Sequence, residues 1–116
     1  MQNGMTHAVK AYAASSAHRS VRVQEAEVFR RATAGLRKAR DANRVVQVRA
    51  IADNTRLWIM VVDLVRDPEN ALPDSLRASI VSVGLAVQRE MQRDAPDFDF
   101  LISVNEDIAA GLASTG

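Results

Sequence analysis

The chain has 116 residues, with 15 Lys and Arg against 14 Asp and Glu, no cysteine and few aromatic side chains. That length suits one domain with a modest core, and the lack of cysteine excludes disulfides, thiolate zinc sites and thiol nucleophiles. The prevalence of Ala, Leu, Val and Arg favours helices over sheets, so the expected fold class is all-α.

No apolar block of signal-peptide length opens the chain, and Lys10 and His18 break up its N-terminal segment. The longest uncharged interior stretch, Ala78 to Gln88, falls far short of the roughly 20 apolar residues needed to cross a bilayer. A cytoplasmic chain without membrane insertion is expected.

A first, short helix is expected from roughly Thr6 to Ala14, ending at Ser15 and Ser16. A second runs from about Val21, with Ser20 as its cap, to Ala42, and its apolar stripe is Val21, Val28, Phe29, Ala32, Leu36 and Ala39. The third, about Val45 to Arg66, places Val48, Ile51, Thr55, Trp58, Val62 and Val65 on one face with Leu57, Val61 and Leu64 beside it. So wide a stripe marks a central helix. Asp41-Ala42-Asn43-Arg44 is a weak breaker without glycine or proline, which leaves open whether the second and third helices form one rod.

Pro68 closes the third helix, and Pro73, whose ring fixes φ and removes an N–H, opens the fourth. The fourth spans about Pro73 to Asp94, with Leu76, Ile80, Val83, Val87 and Met91 at helical spacing and Pro96 as its stop. Gly84 in its middle costs about 1 kcal/mol relative to alanine, which close approach of a neighbouring helix would offset. A last helix, about Phe98 to Ala110, carries Phe98, Leu101, Ile102, Ile108 and Leu112 on its apolar face, with Gly111 as its C-terminal cap. The whole chain, 1–116, reads as a single compact bundle of about five helices, with residues 1–5 and 113–116 disordered.

Charge is uneven along the chain. Between Arg19 and Arg49 lie nine basic residues and only three acids, so the first half is basic and the remainder acidic. Such halves attract each other on folding or present an anionic partner with a basic face.

No catalytic or metal-binding constellation stands out. The only histidines, His7 and His18, lie near the N-terminus, and Glu106 and Asp107 point to different sides of a helix. No cofactor is implied. Trp58 reads as a core anchor. Asn54 and Asn105 fall on apolar faces, where a buried amide must be bonded, so they cap a neighbouring helix, fix a register or face a partner. Arg77 can bond carbonyls at the end of the third helix or pair with Asp63 or Asp74, and Asn70 organises the turn. Arg30, Arg31, Arg37 and Arg40 give the second helix the electrostatic footprint of a phosphate binder, without the aromatic interleaving of an RNA-binding module.

Several strings stand in a distinctive order and spacing: N-T-R-L-W at Asn54 to Trp58, D-L at Asp63 and Leu64, N-A-L-P followed by L-R-A between Asn70 and Ala78, and L-I-x-x-N-x-x-I-x-x-G-L at Leu101 to Leu112. In that arrangement the chain resembles the FlaF family of flagellar biosynthesis proteins. An early A-Y at Ala11 and Tyr12 and the E-x-x-x-F-R-R-A-T run at Glu25 to Thr33 fit as well. The motif positions Asn54, Leu57, Trp58, Asn70, Leu72, Pro73, Leu76, Arg77, Leu101, Ile102, Asn105, Ile108, Gly111 and Leu112 read as mostly structural.

The resemblance implies a protein of flagellin production, acting alongside the regulator FlbT and engaging the terminal helices of flagellin as a secretion chaperone or assembly factor. The alternative it allows is a post-transcriptional regulator acting on flagellin mRNA, directly or through FlbT. A structural component whose bundle completes a larger flagellar complex or a homo-oligomer is a third reading. For helix-in-groove binding, the expected groove is Leu57, Val61 and Leu64 with Val81 and Leu85.

Overall fold

The structure, a computed structural model, describes residues 26–114, and all regular elements among them are helical. Helix α1 covers residues 26–39, α2 Arg44–Arg66, α3 Asp74–Met91 and α4 Phe98–Ser114. The expected Thr6–Ala14 helix, the cap at Ser20, Val21, Tyr12 and both histidines lie outside the described residues.

The second and third predicted helices are separate. Asn43 adopts extended backbone, and its side-chain oxygen accepts a 3.0 Å hydrogen bond from the Val46 N–H, capping α2. Gln47 Nε2 donates to the Arg40 carbonyl at 3.2 Å, tying the start of α2 to the end of α1. No glycine or proline was needed because the cap itself redirects the chain.

Three other predicted boundaries shift. Pro73 is the residue before α3 rather than within it, and α3 stops at Met91, short of Asp94. Gly111 does not cap α4: the helix continues through it to Ser114, and no described glycine has positive φ. The last-turn residues Ala113 and Ser114 are therefore helical rather than frayed.

Helix α2 is the axis of the bundle. Asn54, Leu57, Trp58, Val61, Val62 and Val65 are all buried along it. From α1, Phe29 meets Trp58 edge to face with ring centroids 6.1 Å apart and planes at 86°. Phe29, Ala32, Leu36 and Ala39 of the predicted α1 stripe are buried, whereas Val28 is exposed. Ile80, Val87 and Met91 of α3 and Phe98, Leu101 and Ile102 of α4 close the core. Covered by neighbours on several sides, α2 buries Leu57 and Val61 as completely as the Trp58 line.

Gly84 lies where two helices nearly touch. A Cβ built there would sit 2.7 Å from Val62 Cγ2 and 3.2 Å from Trp58 Cε3. Val62 is β-branched with a stiff χ1, and Trp58 is fully buried, so neither gives way easily. Gly84→Ala, which would stabilise an isolated helix, is expected to destabilise this bundle by about 1–3 kcal/mol, read as a lower midpoint in urea unfolding.

At the α3–α4 corner, Glu90 accepts a 2.8 Å hydrogen bond from the Asp97 N–H and is bridged by Arg93. The bond from the Asp97 backbone, helped by Arg93, holds the Glu90 carboxyl below its ordinary pKa. Asp97 in turn accepts from the Phe100 N–H at 3.1 Å, which starts α4.

Candidate partner-binding site

Two constellations singled out in the sequence prove to be interior fastenings. The first is a chain of polar side chains through the core. Trp58 Nε1 donates to Asn105 Oδ1 at 2.9 Å, Asn105 Nδ2 donates to Asn54 Oδ1 at 2.8 Å, and Asn54 Nδ2 donates to Met91 Sδ at 3.3 Å. Thr55 Oγ1 bonds the Ile51 carbonyl at 2.8 Å and approaches the same sulfur at 3.5 Å. Trp58, Asn54 and Asn105 are each 0% exposed, and this single chain joins α2, α4 and α3. Among the described residues no buried side-chain N or O lacks a partner. Paired in this way, the two asparagines fix the register of three helices.

The second fastening closes the end of α2. Arg77 donates from Nε to the Val65 carbonyl at 2.7 Å and from Nη2 to the Asp67 carbonyl at 2.8 Å. Asn70 donates to the Leu64 carbonyl at 3.0 Å and accepts from the Leu72 N–H at 2.9 Å. Asn70 thus organises the turn and adds a second donor to the Leu64 carbonyl, which also accepts the Asp67 N–H at 3.3 Å. The Arg77 charge sits at the negative end of the α2 dipole. Its ion pair is with Asp74, at 3.5 Å; Asp63 takes no part.

Four arginines of the basic first half are engaged within the fold. Arg30 and Arg31 bind Glu27 within α1, while Arg37 reaches Glu106 at 2.5 Å and Arg40 reaches Asp99 at 2.6 Å on α4. The hydrogen bond and charge of Asp99 raise the Arg40 pKa further above its ordinary value. The opposite charge of the two halves is therefore expressed as α1–α4 pairing.

The five residues expected to form one groove are dispersed. Leu57 is 2% and Val61 4% exposed, so both are core and fail the premise that the bundle leaves them uncovered. Leu64, half-buried, lines a cleft of about 20 Å³ with Phe29, Val61, Val65, Asn70, Leu72 and Leu112. That volume admits about one water molecule and no ligand. Val81 is half-buried and Leu85 exposed on α3.

The family model of the flagellar protein FlaF matches residues 8–112. The chain belongs to the FlaF family. No curated protein and no solved structure gives a significant match. No helix among the described residues of this FlaF chain is long and apolar enough to cross a membrane.

In this FlaF chain the motif positions serve the interior. Leu101 and Ile102 are buried, Leu72, Leu76, Ile108 and Leu112 pack against the core as partly buried residues, and Pro73 sets the turn into α3. The most exposed large apolar residues lie elsewhere: Val45 at 70%, Val48 at 55%, Ile59 at 49% and Leu85 at 47%. Val48 was expected on the buried face. It is uncovered because α3 ends at Met91, which packs beside Asn54 and Thr55, so the first turns of α2 extend past it. The exposure of Val45 and Ile59 is not legible in the sequence because a wide apolar stripe does not show which of its edges a neighbour covers. The available signal was the 3-4-3-4 spacing of Val45, Val48, Ala52, Thr55 and Ile59.

Proposed function

We propose that this chain acts as a cytoplasmic flagellin-binding chaperone or assembly factor, which covers the amphipathic terminal helices of flagellin before export and thereby regulates flagellin production. The observation that carries the reading is the coexistence of an apolar core, whose buried side-chain N and O atoms are all bonded among the described residues, with a set of large apolar residues left in solvent on α2 and α3. Exposed apolar side chains on a small helical bundle are the complement of an amphipathic helix. Membership of a flagellar family supports a partner from the flagellar system.

The second reading, a regulator of flagellin mRNA acting directly or through FlbT, places Arg30, Arg31, Arg37 and Arg40 on phosphates. All four already face carboxylates, and that favours the protein-binding reading.

Titration calorimetry of the full chain against monomeric flagellin, with a flagellin lacking its terminal helices as control, tests the proposal. Saturable binding with a Kd of about 1 µM or tighter that requires those helices is expected, about 8 kcal/mol of association free energy. Absence of heat between folded, soluble partners overturns it. RNA binding that weakens steeply with salt would then favour the mRNA reading.

A further inference from the structure

We propose that the flank of the α2–α3 pair turned away from α4 is the docking surface for a single amphipathic helix with acidic edges. This deepens the reading above and rests on it for the identity of the helix as a flagellin segment.

The contacts of α2 and α3 set the geometry. Gly84 lies against Val62 and Trp58, and Met91 lies against Asn54 and Thr55, so the helices run antiparallel with residue 84 level with about residue 60. Each residue advances about 100° around its helix. From the side of α2 that meets Gly84, Ile59 is turned about a quarter circle one way, while Asn54 and Trp58 reach Asn105 of α4 the other way. The same construction on α3 turns Leu85 to the side of Ile59. Their exposures of 49% and 47% agree with this placement. Along α2 the surface continues through Thr55, Ala52 and Val48 to Val45, a stripe of about 21 Å at 1.5 Å per residue. Its 3-4 spacing is that of a helix-pairing seam.

Charge decides the occupant. Arg44 and Arg49 flank the Val45–Val48 end, Arg89 lies one turn beyond Leu85, and Arg66 ends α2. None of these four has an ion-pair partner among the described residues, whereas Arg56 is engaged by Asp53 at 2.7 Å. Asp63 is the acid on the outer side of α2 toward its far end. The flank is thus apolar along its centre and net positive at its edges. A second copy would bring two positive flanks together, and residues 1–25 carry three cations (Lys10, Arg19 and Arg22) against one acid, Glu25. An acidic-edged helix complements the surface, and its carboxylates would gather at the Arg44–Arg49 end.

The test uses the full chain, wild type and as Leu85→Asp, Ile59→Asp and the double charge reversal Arg44→Glu/Arg49→Glu. Each is titrated with flagellin and with a synthetic helical peptide whose leucine seam is edged by glutamates, beside a control peptide edged by lysines. Circular dichroism reports folding, and the arginine reversal, made on exposed residues, keeps the test open should an aspartate variant unfold. The expected result is preference for the glutamate-edged peptide and at least tenfold weaker binding of both flagellin and that peptide by the folded variants. Flagellin binding that all variants retain overturns the flank and leaves the proposed function standing. Peptide binding that the variants lose, without any flagellin binding, upholds the flank and overturns flagellin as its ligand. Failure of both ligands overturns both. A wild-type dimer in light scattering that Ile59→Asp dissociates assigns the flank to a second copy and overturns the proposal. Binding of an oligouridylate in place of either ligand, abolished by the arginine reversal, does the same in favour of RNA.

Discussion

Replacing Asn105 with leucine is expected to cost about 2–5 kcal/mol, a large share of the 5–15 kcal/mol available to a typical domain. The size reflects how many groups the one side chain serves. Its oxygen accepts from Trp58 Nε1 at 2.9 Å and its amide donates to Asn54 Oδ1 at 2.8 Å, and all three residues are fully buried. Leucine is close in volume, so the loss is polar rather than a cavity. It strands an indole N–H and an amide oxygen, each costing about 1–3 kcal/mol when left unpaired. The double variant Asn54→Leu/Asn105→Leu removes one of those stranded groups together with its partner and leaves Trp58 Nε1 alone. It is expected to be less destabilised than the sum of the two single changes by about 1 kcal/mol or more, as residues of one network are. Urea unfolding of the four proteins checks both statements. Additive costs would mean that the chain of bonds does not act as a unit.

Much of this fastening was visible before any fold was known. Two asparagines at apolar helix positions, 51 residues apart, cannot be tolerated unbonded, and that rule alone requires Asn54 and Asn105 to cap a helix, fix a register or face a partner. It could not say that they bind each other, because spacing within a helix carries no information on which helices meet. The same holds for Gly84, where the penalty of a mid-helix glycine announced a close approach and the structure identifies Val62 and Trp58 as what approaches. Periodicity does not reveal exposure where coverage by a neighbouring helix decides it. Leu57 and Val61 have the apolar character of a binding surface, yet α2 is flanked on their side by Phe29 of α1 and they disappear into the core. Val48 shares the period of the core residues, yet α3 ends too soon to reach it. Gly111 looked like a stop signal, but the apolar residues Ile108, Ala109 and Leu112 pack on the core on both sides of it and carry α4 through. Tertiary burial overrides a propensity cost of about 1 kcal/mol.

Arg77→Ala is expected to destabilise the protein by about 2–3 kcal/mol, and Arg77→Lys to recover less than half of that. The guanidinium reaches two carbonyls on different sides of the α2 end, Val65 O at 2.7 Å from Nε and Asp67 O at 2.8 Å from Nη2. Hydrogen bonds from a charged donor contribute about 1.5–3 kcal/mol each, and the bond to Asp67 is discounted because it faces solvent. Alanine leaves the Val65 carbonyl, which belongs to a buried residue, without its donor. Lysine restores the favourable charge at the helix C-terminus, worth about 0.3–1 kcal/mol, but a single ammonium cannot reproduce a planar fork aimed at two acceptors. The neighbouring bond from Asn70 to the Leu64 carbonyl, at 3.0 Å, holds the same helix end independently, so the fold survives either change. Hydrogen exchange should therefore report the loss locally, as faster exchange over the last turn of α2 and the first turn of α3 than over the Trp58 region. Full rescue by lysine would mean that charge alone, and not the two-carbonyl clasp, is what the position supplies. If it is the clasp, the requirement explains why an arginine sits four residues after Pro73: that spacing returns the side chain across the turn to the helix the proline has just separated from α3.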